Sequence, residues 1–226
     1  MSLDEQAIGW KGVHPYRQYN KSKPQRWHLQ LKVLANAATG YEIDFYCYRG
    51  SDEVRPPGLL AATAYPAHKL TSNESLHNKG YIVVTDNWFT SLDQRRVLQP
   101  RGIGMIGTAK ANRLGIPKEW QKNDNRVRGE TKVYETTFFG ETMMYYTNWK
   151  DTQLVGILHT IPTYNGKVKR YVQERAADTG RLKWQRKLYA RPTIIGDYNL
   201  NMGAVDSHDQ REEAYRTSVK NCSWQP

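Results

Sequence analysis

Apolar and polar residues alternate over short runs in the first part of the chain, a pattern typical of half-buried β-strands. The segment "RWHLQLKVLANAATGYEIDFYCYR", residues 26–49, predicts two strands joined by an Ala-Thr-Gly turn. The alternating apolar positions are Leu29, Leu31, Val33, Ile43, Phe45 and Cys47. This region therefore predicts an antiparallel pair of strands.

The next elements alternate between helix and strand. After a Pro/Gly-rich loop and a short helical stretch near Leu70, "GYIVVTD" predicts a strand buried on both faces. The segment "SLDQRRVLQPRG" predicts a short helix with Ser91 as its N-cap and Gly102 at its end. A further strand, "IGMIGTAKA", follows. Together these elements predict an α/β fold built on a mixed sheet flanked by helices.

The pattern changes from about residue 113. Three strand-like runs follow, broken by Gly140 and by Lys150 and Asp151: "TKVYETTFF", "ETMMYYTNW" and "QLVGILHTI". A basic segment comes next, and the chain turns helical after Gly203. We therefore predict that residues of about 113–192 form a β-rich subdomain inserted in the sheet domain.

Composition narrows the class of protein. A chain of 226 residues fits one large domain or one domain with an insertion. Two cysteines argue against a disulfide scaffold and against a cysteine-rich zinc module within this sequence. The net charge of +11, together with 7 Trp and 15 Tyr, favours a polyanionic partner such as nucleic acid. A basic protein without such a partner is the alternative.

Four aspartates are candidates for metal chemistry. Asp4 lies in "LDEQAIGWKG", Asp86 ends an apolar strand, and Asp206 and Asp209 share one face of a predicted helix. Hard cations bind carboxylate oxygens, and two-metal phosphoryl transfer needs several carboxylates that converge from distant segments. Alternatively, Asp86 begins a strand-to-helix turn, the helical pair is solvated, and Asp4 lies in a disordered terminus.

Four blocks of the sequence, in order, carry a family resemblance. They are "SLDEQAIGWKG", "YNKSKPQRWHLQLKVLANAATGY", "TDNWFTS" with "GIGMIGTAKANRLGIPKEW", and "RPTIIGDYNLNMGAVDSHDQ" ending in "SWQP". These blocks cover nearly the whole chain and resemble those that mark the piggyBac-type transposases. Ala204 departs from the pattern, because that family usually has a second glycine there.

The resemblance implies both a fold and a chemistry. The fold would be RNase H-like with an inserted β-rich subdomain, and the family's catalytic aspartates fall on Asp4, Asp86 and Asp206, with Asp209 as a further metal ligand. Two Mg²⁺ ions, or Mn²⁺, would support cleavage and strand transfer of DNA at transposon ends, through hairpin intermediates and with joining at TTAA targets. The full-length protein would be a homodimer in the nucleus that binds transposon ends and target DNA. The alternative is a transposase-derived DNA-binding protein, or a decayed fragment, that does not cleave.

Basic residues are expected to contact the DNA backbone. The densest basic stretch follows the three predicted strands, and a smaller group follows the strand "IGMIGTAKA". The predicted DNA-binding residues are Lys110, Arg113, Lys118, Lys167, Lys169, Arg170, Arg181, Lys183, Arg186 and Lys187. A charged, solvated face is the alternative for both groups.

Other residues of the motifs are assigned structural roles. We expect Trp88 and Phe89 to pack in the core behind Asp86. The six histidines show no spacing typical of metal ligands and are expected to be surface or hydrogen-bonded residues.

The position of Asp4 leads to a further expectation. In an RNase H-like sheet the first aspartate ends a central strand, and this chain begins three residues before Asp4. We therefore expect residues 1–226 to be a catalytic core truncated at both ends, with Asp4 on a frayed terminus. Such a chain would be poorly active or inactive alone.

Overall fold

The structure, a computed structural model, describes residues 1–23, 25–58, 62–109, 113, 115–121, 125–138, 141–175 and 182–215. The chain forms two compact units, one of Met1–Met105 with Leu200–Pro226 and one of Ile106–Asn199. The strands are β1 (Ser2–Gly9), β2 (Arg17–Tyr19), β3 (Trp27–Ala35), β4 (Glu42–Cys47), β5 (Ile82–Thr85), β6 (Gly104–Thr108), β7 (Thr131–Phe138), β8 (Glu141–Lys150), β9 (Leu154–His159), β10 (Asn165–Arg175) and β11 (Leu182–Pro192). The α-helices are α1 (Tyr65–Leu70), α2 (Leu92–Leu98), α3 (Thr193–Asn201) and α4 (Ala204–Tyr215).

The first unit is built on a mixed sheet. Strand β3 pairs antiparallel with β1, β2 and β4, and β1 pairs parallel with β5. The amide of Gly104, at the start of β6, donates to Tyr81 O at 2.8 Å beside β5. The prediction of an α/β fold on a mixed sheet with helices is confirmed.

Strand β3 is an interior strand of this sheet, paired with three others, and its C-terminal half is buried on both faces. Residues 31–35 are all buried, and Val33, Leu34 and Ala35 have no exposed surface. One face of β3 packs against Ala204 and Val205 of α4. Burial of these side chains holds α4 against the sheet.

Strand β4 presents its other face to the protein interior. The sequence alternation predicted Ile43 and Phe45 as the buried positions, yet they are 39% and 51% exposed, whereas Tyr46 is 7% exposed. Tyr46 packs against α1, with its ring 6.1 Å from the Tyr65 ring and 4.0 Å from Lys69 Nζ. The alternation identified the strand, but the position of α1 decides which face is covered.

The expectation of a frayed terminus at Asp4 is wrong. Asp4 is the third residue of β1, not its last, and the strand continues to Gly9 in register with β3. The Met1 nitrogen donates to Ile82 O at 2.7 Å, and Val84 N donates to Met1 O at 2.8 Å. Asp4 therefore lies within a paired strand, and the reason given above for expecting poor activity does not apply.

The second unit is antiparallel. The end of β6 pairs with β9, β9 pairs with β8, and β8 pairs with β7. The three predicted strands are confirmed as β7, β8 and β9, whereas the basic segment, for which we predicted no element, forms the hairpin β10–β11. The residue range of the second unit, Ile106–Asn199, includes the predicted range 113–192. That this range is an insertion in the sheet domain stays a prediction.

Within the described part of the chain, every helix is too short or too polar to cross a membrane.

Candidate active site

The turn after β5 holds Asp86. Its Oδ1 accepts hydrogen bonds from the amides of Trp88 at 2.8 Å and Phe89 at 3.3 Å. Phe89 is 1% exposed, as expected of a core residue, but Trp88 is 39% exposed and only partly packed. The strand ends on a carboxylate because that carboxylate closes the next turn.

The residues after this turn begin α2. Thr90 donates its hydroxyl to Asp86 O at 2.6 Å, and Ser91 accepts from the amide of Gln94 as the predicted N-cap. These bonds fix the backbone on both sides of Asp86, so its carboxylate is held by a rigid strand-to-helix connection.

Asp4 lies beside Asp86. The parallel register places Leu3 opposite Thr85, the last residue of β5, and an aspartate follows each of them in the chain. The pKa of Asp4 is raised to about 7, mainly by burial and in addition by the carboxylates of Asp86 and Asp206, while a 2.8 Å hydrogen bond from Glu5 N acts to lower it. Three aspartates from distant parts of the sequence therefore share one electrostatic environment.

Helix α4 brings Asp206 and Asp209 to the same region. The pKa of Asp209 is raised to about 6, mainly by burial and in addition by the carboxylates of Asp206 and Glu212. The Oδ1 of Asp209 is buried and has no hydrogen-bond partner among the described residues. An acceptor in that condition is a good ligand for a cation.

Several polar contacts fix α4 against the first unit. Ser2 Oγ donates to Met202 O at 2.9 Å just before the helix, and Gln6 of β1 donates to Glu212. Arg211 donates to Thr39 O. Because Ser2, Asp4 and Gln6 alternate along β1, all three lie on the face that α4 covers.

The donor chemistry of this cluster fits divalent ions. Carboxylate oxygens are the ligands that Mg²⁺ and Mn²⁺ prefer. We expected the carboxylates of Asp4, Asp86 and Asp206 to converge within a few ångströms. Within the described ranges, however, no three His, Cys, Asp or Glu side chains form a group that could hold one ion. The aspartates are coupled neighbours, and their role as ligands stays a prediction.

Two histidines of the described chain have clear structural contacts. His159 is fully buried, with Nε2 2.8 Å from Thr147 Oγ1 and Nδ1 2.6 Å from Ile161 O. Burial lowers its pKa to about 4, so the ring is neutral at physiological pH. His208 lies 3.6 Å from Glu42 and links α4 to β4.

The hairpin β10–β11 divides the predicted DNA-binding residues between two faces. Its register pairs Tyr171 with Arg186 and Lys169 with Leu188, so Lys167, Lys169 and Arg186 share one face. Trp184 and Leu188 lie on that face and are 66% and 52% exposed. Arg170 and Lys187 are on the opposite face.

The remaining predicted DNA-binding residues are scattered. Lys118 is exposed in a short 3-10 helix (Lys118–Gln121), and Arg113 is half-buried. Lys183 contributes backbone to β11, while Lys110 and Arg181 lie outside the described residues.

Arg170 has a structural partner. Its Nε donates to Asp151 at 3.1 Å, and Arg128 contacts the same carboxylate at 2.6 Å. Burial acts to raise the pKa of Asp151, yet the two guanidinium groups hold it below its ordinary value. This contact joins β10 to the β8–β9 turn and makes Arg170 a weaker candidate for DNA contact.

Sequence reasoning missed Lys32. It lies at a polar position of β3, yet it is 1% exposed and its Nζ donates to Glu5 at 2.5 Å. Alternation alone placed it on a solvated face. The one hint in the sequence was that Lys32 stands between apolar residues, Leu31 before it and Val33 after it.

The whole chain matches one protein family. A family model described as Transposase IS4 matches residues 1–226, and the chain belongs to this family of DDE transposases, of IS4/piggyBac type. Transposases of this class generally use divalent metal ions.

Individual relatives extend the comparison. The human PiggyBac transposable element-derived protein 3 is 24% identical over 239 residues, covering 99% of this chain and 36% of the relative. The human PiggyBac transposable element-derived protein 2 is 22% identical over 232 residues, covering 99% of this chain and 36% of the relative. The chain thus spans about a third of the length of these relatives.

A solved structure has the same fold. It is a cryo-EM structure of the piggyBac transposase synaptic complex with hairpin DNA, with a TM-score of 0.74 and 22% identity. The match covers 99% of this chain and 42% of the other.

The raised pKa of Asp4 predicts a pH-dependent stability. A carboxyl whose pKa is higher in the folded protein than in the unfolded chain destabilises the fold as pH rises from about 4 to 7. Asp4→Asn keeps the acceptor for Glu5 N and removes the charge. We expect its free energy of unfolding at pH 8 to exceed that of the wild type by on the order of 2 kcal/mol, and the two to agree at pH 4.

Urea denaturation in EDTA at several pH values measures this difference. Asp44→Asn is the control, since Asp44 is exposed and also accepts a hydrogen bond from the next amide. An unchanged pH dependence in Asp4→Asn would show that Asp4 is not the destabilising carboxyl.

Proposed function

We propose that this chain is the catalytic core of a cut-and-paste DNA transposase. In the proposal, Asp4, Asp86 and Asp206 hold two divalent ions, Mg²⁺ or Mn²⁺, with Asp209 as an auxiliary ligand. The observation that carries it is the electrostatic coupling of Asp4 to Asp86 and Asp206, residues that come from β1, the end of β5 and α4. The family match across residues 1–226 gives this cluster its chemical context.

Each aspartate would have its own means of orientation. Asp86 is oriented by the amides of Trp88 and Phe89, which occupy Oδ1 and leave Oδ2 as the oxygen for a ligand role. Asp4 is fixed by β1, which is paired on both sides, and α4 carries Asp206. Preorganised carboxylates of this kind lower the cost of gathering ligands around a cation.

When bound, ions at such a site activate a water or a DNA 3′-hydroxyl and stabilise the leaving oxygen of an in-line displacement. The protein's own contribution includes the ionisation of its ligands. Because the pKa of Asp4 is about 7 and that of Asp209 about 6, both must lose a proton before they bind a cation. The proposed activity should therefore rise between pH 6 and pH 8.

DNA is the proposed substrate. The net charge of +11 and the exposed face of β10–β11 with Lys167, Lys169 and Arg186 are suited to phosphate contacts. Trp184 on the same face offers a ring for stacking on a base. The solved piggyBac transposase with this fold is itself a synaptic complex with hairpin DNA. Transposon ends and target DNA, a homodimeric full-length protein and a nuclear location belong to the same proposal.

A second candidate is a transposase-derived protein that binds DNA without cleaving it. It is favoured by one observation: among the described residues no three acidic side chains are grouped to hold an ion. Cleavage by the chain decides between the two candidates.

Nicking of a supercoiled plasmid that carries TTAA sites, with Mn²⁺ or Mg²⁺ at pH 8, tests the proposed enzyme activity. We expect metal-dependent nicking by the wild type and a loss of at least about a hundredfold in Asp86→Asn, since each catalytic carboxylate supports the displacement. Asparagine at this position keeps an oxygen that can accept from the amides of Trp88 and Phe89, so the turn is preserved.

Asp44→Asn is the matched control for cleavage and should nick like the wild type. Equal nicking by the wild type and Asp86→Asn would contradict the assignment of Asp86. DNA binding without nicking in the wild type would favour the second candidate.

The hairpin face makes a separate prediction about binding. Changing Lys167, Lys169 and Arg186 to Gln should weaken duplex binding and lower the slope of log K against log salt by roughly 2–3, since each phosphate contact contributes about 0.9. Fluorescence anisotropy over a range of KCl concentrations measures this slope. The control changes the exposed Lys11, Lys21 and Lys79 to Gln. An equal decrease in both triple variants would show that total charge, not this face, determines binding.

A further inference from the structure

A buried cation lies on the sheet face opposite Asp4. Asp4 and Glu5 are consecutive residues of β1, so their side chains leave opposite faces of the strand. Lys32 of β3 is the cross-strand partner of Glu5, and the pair meets at 2.5 Å. Lys32 has 2% of its side chain exposed and Glu5 has 26%.

Three aromatic rings surround the ammonium group. Lys32 Nζ lies 4.1 Å from the ring centroid of Trp88, 5.1 Å from that of Tyr48 and 5.2 Å from that of Phe89. A desolvated cation near several ring faces is attracted to each of them. We call this group, formed by Glu5, Lys32, Tyr48, Trp88 and Phe89, the Lys32 cage.

Two of these rings belong to the turn that orients Asp86. The amides of Trp88 and Phe89 are the donors to Asp86 Oδ1, and their rings pack edge-to-face with centroids 4.7 Å apart. One ammonium group thus contacts the residue that follows Asp4 and the two residues that hold Asp86. The Lys32 cage therefore connects the neighbours of Asp4 and of Asp86 on the sheet face opposite Asp4.

Burial alone does not fix this turn. Phe89 is held by packing, since it is only 1% exposed. Trp88 is 39% exposed, so less of its surface is packed. A buried ion pair adds little net stability compared with an apolar pair, although it imposes direction and distance on its partners. The cation therefore matters most for the orientation of Trp88, whose amide makes the shorter bond to Asp86.

From this geometry we infer that Lys32 is a positioning residue for the metal-binding carboxylates, acting through Glu5 on Asp4 and through the rings of Trp88 and Phe89 on Asp86. The inference rests on the proposed function, in which both aspartates bind divalent ions. Residues that orient metal ligands affect affinity although they do not touch the metal.

The test compares Lys32→Met with the wild-type chain by two readouts. The first is hydrogen exchange of single amides by NMR in metal-free buffer, where exchange of the Trp88 and Phe89 amides should become about tenfold faster while that of Leu34, on the same strand as Lys32, stays unchanged. The second is Mn²⁺ titration at pH 8, where the dissociation constant should rise about tenfold or more.

Lys69→Met is the matched control. It also removes a cation from an aromatic ring, that of Tyr46 at 4.0 Å, but Lys69 lies on α1 outside the Lys32 cage. It should change neither readout. If Lys32→Met fails to fold, the variant that combines it with Glu5→Gln removes the carboxylate that is ion-paired with Lys32, and the same local acceleration is expected.

The outcomes separate the inference from the function on which it rests. Unchanged exchange at Trp88 and Phe89 in Lys32→Met would overturn the inference, and so would equal acceleration at Leu34, which would mean that Lys32 only stabilises the fold. If the wild type binds no Mn²⁺ but the local acceleration occurs, the proposed metal site fails while the cage still positions the Asp86 turn.

Discussion

The parallel pairing of β1 with β5 is the constraint on which the site depends. Its register places Leu3 beside Thr85, and each of these residues is followed in the chain by an aspartate. The strand-to-helix turn then fixes Asp86, and the apolar contacts of Ala204 and Val205 bring α4 onto the same face of the sheet. A change of one residue in this register would send one of the two carboxylates to the opposite face.

The cluster that results is electrostatically unfavourable by itself. Burial and like charges hold the pKa of Asp4 at about 7, well above its ordinary value, so that in the folded chain this carboxyl is still partly neutral near pH 7. Strained or destabilised groups of this kind concentrate at functional sites, where a ligand relieves them. The buried positive charge of Lys32 lies behind the sheet with Glu5 and therefore orients the strand more than it neutralises Asp4.

Local chemistry explains which parts of the structure the sequence could predict. Strand alternation identified β3 and β4, the apolar run identified β5, and Ser91 was recognised as an N-cap because its hydroxyl suits the free amide of Gln94. Other features depend on long-range packing. The position of α1 decides which face of β4 is exposed, and pairing with β3 extends β1 beyond Asp4. The turn after β5 buries Lys32. The sequence context singled out the candidate aspartates and the motif resemblance implied their roles. The coupling among them could be seen only once β1, β5 and α4 were placed together.

Binding of divalent metal by these aspartates is the property on which the proposed chemistry depends. Anomalous diffraction from crystals of this chain grown with Mn²⁺ at pH 8, above the pKa of Asp4, measures it directly. We expect manganese peaks within about 2–2.5 Å of carboxylate oxygens of Asp4, Asp86 and Asp206, and no such peaks in Asp86→Asn crystals. Manganese peaks elsewhere on the chain, with none at these three carboxylates at millimolar Mn²⁺, would contradict the proposed site.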